Sequence, residues 1–144
     1  MAITVKKVTF WRSEIDNRPG ALAGILGPLS SSKADLQAVM GYRYPGNPGR
    51  AAVEVFPVSG KKVEAAAHAA GLAPAAIPAL LVSGDNRAGL GASFAQALAD
   101  AGINMDFLLA LVQGRRFSSV FGFETDADAA RAIPVLKKAA GRKK

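Results

Sequence analysis

The chain has 144 residues, which suits one domain or two very small ones, and half of the residues are hydrophobic, enough for a buried core. Its 18 Lys and Arg against 11 Asp and Glu give a formal net charge of +7, which is compatible with an anionic partner. The absence of cysteine excludes disulfides and thiol chemistry, and no apolar run approaches the roughly 20 residues of a membrane span.

The first half of the chain predicts the order strand, helix, strand, strand, helix. Residues 3–14 are rich in β-branched and aromatic side chains, which favour a strand, and the apolar residues between 22 and 29 keep helical spacing. Residues 35–44 and 51–58 predict two further strands, joined by a turn rich in Pro and Gly. Ser59 can cap a helix over residues 60–70 that ends at Gly71.

The second half predicts the same order of elements. Strands are expected over 79–83, 103–112 and 117–124, and helices over 91–101 and from Asp126 onward, where Thr125 and Asp128 are spaced as a cap. Pro28 and Pro134 fall inside predicted helices, where proline removes a hydrogen bond and kinks the chain. We expect the basic tail, residues 141–144, to be disordered.

The sequence repeats itself at an offset of 69 residues. Asp16-Asn17-Arg18 and Gly20 fall on Asp85-Asn86-Arg87 and Gly89, and farther along an offset of 67 places Val53 on Val120. We infer two copies of one unit, residues 1–72 and 73–144. Each copy supplies three strands where such a sheet usually has four, so each is expected to leave an exposed edge that the sister copy or a second chain covers.

The repeated turn joins a predicted strand to a predicted helix. Asn17 can cap that helix, Pro19 suits its first turn, and Gly20 lets a ligand approach the backbone closely. The free amides of a helix N-terminus attract a carboxylate or a phosphate, and Arg18 adds a positive charge. The turn therefore predicts a pocket for a small anion such as an amino acid; a purely structural helix start is the alternative.

Each copy resembles an ACT domain, the small regulatory module of amino-acid metabolism. The likeness lies in residues 16–23 with Leu29 and Asp35-Leu36, and in residues 85–89 with Leu98 and Gly102-Ile103-Asn104-Met105. The resemblance implies an α+β fold, a ferredoxin-like α/β sandwich of two tandem βαββα(β) repeats with helices on one face of each antiparallel sheet. It also implies that modules pair side by side or face to face.

In such domains amino acids bind at the junction of modules, at the turn and at the start of the second strand. The ligand-binding residues implied in the first copy are Asn17, Arg18, Pro19, Gly20, Ala21, Leu22, Asp35 and Leu36. Those implied in the second copy are Asn86, Arg87, Ala88, Gly89, Leu90, Asn104 and Met105. Ala88 replaces the proline and Gly91 stands where Leu22 would be, so the second turn departs from the pattern; a pocket built from both copies is an alternative.

We therefore expect a non-catalytic amino-acid sensor, not an enzyme, that is a cytoplasmic homodimer and acts on a separate regulated enzyme, with no cofactor and no membrane or nucleic-acid partner. His68 is the one histidine of the chain, which argues against a metal site. The alternative is an RNA-binding ferredoxin-like module, for which Phe121-Gly122-Phe123 is an incomplete aromatic match. Trp11 is expected in the core, and Tyr42 and Tyr44 either pack in a hairpin or flank a ligand.

Overall fold

A computed structural model describes residues 3–141. In chain order its elements are β1 (Ile3–Val8), β2 (Trp11–Asp16), α1 (Ala21–Ser31), β3 (Ala38–Tyr44), β4 (Asn47–Phe56), α2 (Lys61–Ala69), β5 (Ala73–Pro74), β6 (Ala79–Asp85), α3 (Leu90–Asp100), β7 (Met105–Gln113), β8 (Arg116–Phe123) and α4 (Asp126–Gly141). They form two compact units: the contiguous unit, residues 9–76, and the split unit, residues 3–8 with 77–141. None of the described helices is both long and apolar enough to cross a membrane.

Each unit contains one four-stranded antiparallel sheet. The strand order is β3-β4-β2-β5 in the contiguous unit and β1-β6-β8-β7 in the split unit. Strands β4 and β8 therefore lie inside their sheets, whereas β3 and β7 are edge strands.

In the contiguous unit, α1 and α2 pack on one face of the sheet. Ile25 and Leu29 are four residues apart, so they share one side of α1, and Ala67 supplies the matching buried position of α2. They meet alternate residues of the central strands, Trp11, Val53 and Val55, together with Leu72. The expectation that Trp11 is a core residue is confirmed, since it is 8% exposed.

The split unit has the same layers. Leu90, Phe94 and Leu98 recur every four residues on the buried side of α3, and α4 presents small residues and Leu136 to the same core. The ring of Phe94 lies 5.9 Å from Phe117 and 6.0 Å from Phe121, centroid to centroid, within the range of favourable aromatic pairs. The predicted α+β class, with antiparallel sheets and helices on one face, is confirmed in both units.

The single strand predicted over residues 3–14 is wrong. It is two strands in two different sheets: β1 pairs with β6, from Ile3 opposite Gly84 to Val8 opposite Ala79, whereas β2 pairs with β4 and β5. The predicted count of three strands per copy is also wrong. The split unit gains β1 as its fourth strand, and the two-residue β5 is the fourth strand of the contiguous unit.

The offset of 67 residues expected between the return strands is also wrong. Asp16 lies opposite Arg50 in the contiguous unit and Asp85 lies opposite Arg116 in the split unit, so the return strands correspond at an offset of 66. Val53 therefore corresponds to Ser119. The chain passes between the units after Val8 and after Ala76, the latter four residues beyond the proposed repeat boundary at 72/73.

Pro28 and Pro134 remain inside α1 and α4 without ending either helix. Each proline leaves the carbonyl four residues before it without an amide partner. Those carbonyls belong to Gly24 and Ala130, and both residues are exposed, so water can hydrate them. Gly141 is the last residue of α4, and the rest of the tail predicted to be disordered, residues 142–144, lies outside the described residues.

Candidate functional site

The repeated turn has the same backbone geometry in both units. Gly20 precedes α1 with φ +88°, and Gly89 precedes α3 with φ +82°, both in the left-handed region that glycine adopts without steric cost. The prediction that Asn17 caps α1 is wrong, because its side-chain amide donates to the Pro48 carbonyl at 2.8 Å and no side chain caps the helix. Pro19 lies before the first helical residue, not in the first turn.

Without a cap, the first turn of each helix keeps amides that have no acceptor. Ala21 donates to the Arg18 carbonyl and Gly24 to the Gly20 carbonyl, and between them Leu22 and Ala23 have no backbone acceptor within residues 3–141. At the start of α3 the amides of Gly91 and Ala92 likewise have no backbone acceptor within residues 3–141. Such amides and the helix dipole favour an anion at this end of a helix.

Each turn is held to the neighbouring hairpin by two equivalent contacts. The Arg50 guanidinium contacts the Asp16 carboxylate at 2.7 Å, and Arg116 contacts Asp85 at 3.1 Å. The backbone amide of the next residue, Asn17 or Asn86, donates across to the hairpin at 2.9 or 2.8 Å. Because these ion pairs are largely exposed, their contribution is to position the turn more than to stabilise the fold.

A cavity of about 250 Å³ lies against the turn of the contiguous unit, and we call it the contiguous-unit cavity. Its walls come from the turn, from α1, from edge strand β3 and from β4. The lining includes three charged side chains, Asp16, Arg18 and Arg43, and the polar Asn17 and Tyr42, among apolar residues of α1, β2 and β4.

Tyr42 and Tyr44 sit on the same strand, β3, with ring centroids 6.3 Å apart. The Tyr42 hydroxyl donates to the Glu54 carboxylate at 2.9 Å, and Tyr44 donates to Glu14 at 2.7 Å while accepting from the Arg12 guanidinium. Burial raises the pKa of Tyr42, and the bond to Glu14 raises the pKa of Tyr44. Both phenols therefore remain protonated donors that fix the edge of the sheet, and Tyr42 also lines the contiguous-unit cavity.

A second cavity, of about 300 Å³, occupies the equivalent place in the split unit, and we call it the split-unit cavity. It lies between Asn86 of the turn, Leu90 and Gly91 at the start of α3, and residues of β7 and β8. The strand residues that line it are Leu108, Ala110, Leu111, Val112, Phe117, Ser119 and Phe121. In contrast to the contiguous-unit cavity, no charged side chain lines it.

Arg18 and Arg87 occupy equivalent positions but have different contacts. Arg18 lines its cavity and makes one long contact, 3.4 Å, to the carbonyl of the next residue. Arg87 donates to the carbonyls of Ala140 at 2.9 Å and Ala139 at 3.3 Å, near the end of α4. The guanidinium of the split unit is therefore engaged in a structural contact.

Comparisons with known proteins give the fold. The sequence matches no protein-family model and no curated protein. Among solved structures, a protein from Bacteroides thetaiotaomicron aligns over 94% of this chain and 90% of its own, with a TM-score of 0.77 and 15% identity. The ligand-free regulatory subunit of aspartate kinase from Thermus thermophilus aligns over 96% of this chain and 97% of its own, with a TM-score of 0.64 and 14% identity.

The chain has the fold of an aspartate kinase regulatory subunit. In aspartate kinase from Clostridium acetobutylicum the similar part is 33% of a longer chain, with a TM-score of 0.57 and 18% identity, and it covers 95% of this chain. The tandem ACT-like fold that the sequence resemblance implied is thereby confirmed.

Some of the ligand-binding residues that the resemblance implied line the cavities of the ACT-like units, and others lie away from the cavities. Asn17, Arg18, Ala21 and Leu22 line the contiguous-unit cavity, and Asn86 and Leu90 line the split-unit cavity. Pro19, Gly20, Ala88 and Gly89 shape the turns without lining either cavity. Leu36 and Met105 pack against the cores, and Asp35 and Asn104 are exposed outside both cavities.

Sequence reasoning named Tyr42 of β3 as a residue that could flank a ligand and missed the other strand walls of the cavities. In each ACT-like unit the wall facing the helix comes from the middle of the edge strand, for example Tyr42 in β3 and Ala110 in β7. The available signal was the alternation of side chains along these strands. An irregular register between Met105 and Phe107 shifts that alternation in β7.

Proposed function

We propose that this protein is a regulatory module that binds an amino acid, without catalysing a reaction, in the cavities beside α1 and α3. One observation carries the proposal: both units repeat a left-handed glycine, two helix amides without a backbone acceptor, and a cavity of 250–300 Å³ against them. The likeness in fold to an aspartate kinase regulatory subunit supports a regulatory role over a catalytic one.

The contiguous-unit cavity offers groups for both charges of a zwitterion. The amides of Leu22 and Ala23 would receive the carboxylate in the contiguous unit, where the Arg18 guanidinium adds a charge-assisted donor. The Asp16 carboxylate lines the same cavity and can accept from the ammonium group. In the split unit the amides of Gly91 and Ala92 have the same role.

The fold of this chain is embedded in a longer chain in the aspartate kinase of Clostridium acetobutylicum, which is described as an allosteric enzyme. By analogy, we propose that the occupied cavity changes the contacts of this module with an enzyme that makes or uses the bound amino acid. Such an enzyme would act in the cytoplasm.

We also propose that the protein is a homodimer that pairs through edge strand β7. Its nine residues include Leu108, Leu109, Leu111 and Val112, each between 43% and 54% exposed, and β8 is its one partner within the described sheet. A long apolar edge strand with an unpaired side is a template for pairing with another strand. Since β7 also forms a wall of the split-unit cavity, a second chain on this edge would complete that cavity.

The RNA-binding alternative is not supported by the positions of the aromatic side chains. Phe121 and Phe123 are 2% and 0% exposed and pack in the core of the split unit, so they cannot stack on bases. Gly122 lies between them because the ring of Phe107 occupies the space where a Cβ would be. The residues that suggested an RNA platform therefore have a packing role.

The experiment that tests the proposal is a screen of the intact chain against the twenty amino acids by thermal shift and calorimetry. At a free ligand concentration one hundred times the Kd, binding to the folded state adds about 2.7 kcal/mol of stability, so the Tm should rise by several degrees for at least one amino acid. If the folded protein gives no heat and no shift with any of the twenty, the proposal is wrong.

A charge-matched pair of variants locates the binding site. Arg18→Ala should weaken binding in the contiguous-unit cavity about tenfold, because it removes a charged donor to the carboxylate. Lys62→Ala removes an equal charge from exposed α2, outside both cavities, and should leave the affinity unchanged.

A further inference from the structure

The two cavities share a position in the fold but differ in their lining. The base of the split-unit cavity is aromatic and buried: Phe94, Phe117 and Phe121 are 4%, 6% and 2% exposed. Its outer wall is aliphatic and half exposed, from Leu108 and Val112 of β7. A ligand that filled this space would remove its own apolar surface and that of the half-exposed outer wall from water, which is the main favourable contribution available there.

The polar groups of the split-unit cavity are few, and one of them is already engaged. The Ser119 hydroxyl donates to the Val82 carbonyl at 3.1 Å. The carboxamide of Asn86 and the amide of Gly91 remain, both near the turn, and the amide of Ala92 follows next in α3. Arg87, which could have added a charge, is bound to the carbonyls of α4. The polar end of a ligand therefore belongs at the turn and its apolar end over the aromatic base.

A single substitution between the copies leaves more room on the helix side of the split-unit cavity. Gly91 stands where the contiguous unit has Leu22, and a Cβ at Gly91 would meet no atom within 4 Å. The volume that a leucine side chain would occupy next to the helix amides is thus left free. The cavity, at about 300 Å³, is at the lower end of the range for ligand pockets, which suits one small molecule.

We propose that the split-unit cavity is specific for an amino acid with a large apolar side chain, of the leucine, methionine or phenylalanine kind. This inference rests on the proposed function, since it takes amino-acid binding as given and assigns the side-chain class. A charged or strongly polar side chain would be desolvated there without a partner, which costs binding energy. The contiguous-unit cavity differs in that Asp16, Arg18 and Arg43 also line it and can pair with a polar side chain.

The experiment is calorimetric titration of the intact chain with L-leucine, L-methionine and L-phenylalanine, beside L-alanine, L-lysine and L-aspartate. Leucine should bind at least about tenfold more tightly than alanine, which has the same charged groups and lacks three buried carbons. Gly91→Leu, which places the side chain of Leu22 at the equivalent position and narrows the cavity, should weaken leucine binding at least about tenfold. Ala95→Leu, on an exposed position of the same helix outside the cavity, should leave it unchanged.

Ala110→Asp is a second variant that should weaken leucine binding, because it places a carboxylate on the exposed wall of the cavity without altering α3. Binding of lysine or aspartate with none of the apolar three, or leucine binding that both Gly91→Leu and Ala110→Asp leave intact, overturns the inference while amino-acid binding stands. A flat response to all twenty amino acids overturns the proposed function, and this inference falls with it.

Discussion

Gly20 and Gly89 are the residues on which the geometry of both turns depends. Each has a positive φ and sits directly before a helix, so the chain can reverse from the strand and leave the first helix amides uncovered. Neither glycine has an atom within 4 Å of an added Cβ. The requirement for glycine is therefore conformational and not a matter of space.

Replacing Gly20 by alanine should lower the free energy of unfolding by about 1–2 kcal/mol, since alanine is strained in the left-handed region. Gly24→Ala in the same segment is the control: Gly24 is helical and equally unobstructed, so alanine should leave stability unchanged or raise it by up to about 1 kcal/mol. Urea unfolding of the two variants measures the difference. Equal stability of Gly20→Ala and the parent chain would show that the turn does not need a positive φ.

For individual residues, the sequence predicted which ones form the turn but not which contacts each side chain makes. The repeated Asp-Asn-Arg-x-Gly marked the strand-to-helix junction correctly, because glycine and asparagine have strong local preferences. The role of Asn17 could not be predicted, since its partner, the Pro48 carbonyl, lies across the hairpin. The different contacts of Arg18 and Arg87 were not predictable either, because both are arginines at equivalent positions of the repeat.

Among the elements, α4 is attached to the turn of its own unit through Arg87. The guanidinium satisfies two carbonyls near the C-terminal end of the helix, where acceptors lack amide partners and the dipole favours a cation. Only the folded split unit brings α4 and the turn together, so this contact was not predictable from local sequence.

Arg87→Ala should lower the free energy of unfolding by about 1–3 kcal/mol, since it removes charged hydrogen bonds to a partly buried helix end. The equivalent variant Arg18→Ala should change it by less than about 0.5 kcal/mol, because Arg18 is exposed and makes one weak local contact. Chemical denaturation distinguishes the two. An equal loss in both variants would contradict the different roles assigned to the two arginines.

The helices and return strands were predicted within a few residues, whereas the division between β1 and β2 was not. Residues 8–11, Val-Thr-Phe-Trp, contain neither glycine nor proline and read as continuous strand. The two strands are separate because β1 pairs with β6 whereas β2 pairs with β4, and these contacts are distant in sequence. The cavity wall on β7 escaped prediction for the same reason, whereas Tyr42 on β3 was named as a possible ligand contact.

For the whole molecule, the exposed apolar edge at β7 predicts self-association. The parent chain should sediment as a dimer at micromolar concentration, and Leu109→Lys should shift it toward monomer, because a lysine on an edge strand opposes pairing. Leu109 does not line the split-unit cavity, so ligand binding in that unit does not depend directly on its side chain.

The matched control is Thr4→Lys on β1, the opposite edge of the same sheet, which should leave the dimer intact. Sedimentation velocity over a range of concentrations follows both variants. A parent chain that is monomeric throughout, or a Leu109→Lys variant that dimerises as well as Thr4→Lys, would argue against pairing through β7.

The membership of β1 in the split unit bears on the order of events during translation. Residues 3–8 are synthesised before β6, with which they pair and which follows about seventy residues later. At about 5–20 residues per second the ribosome needs several seconds to deliver that partner. In the meantime residues 9–76 contain all four strands of their own sheet, so β1 is incorporated into a sheet only after the sheet of the contiguous unit can form.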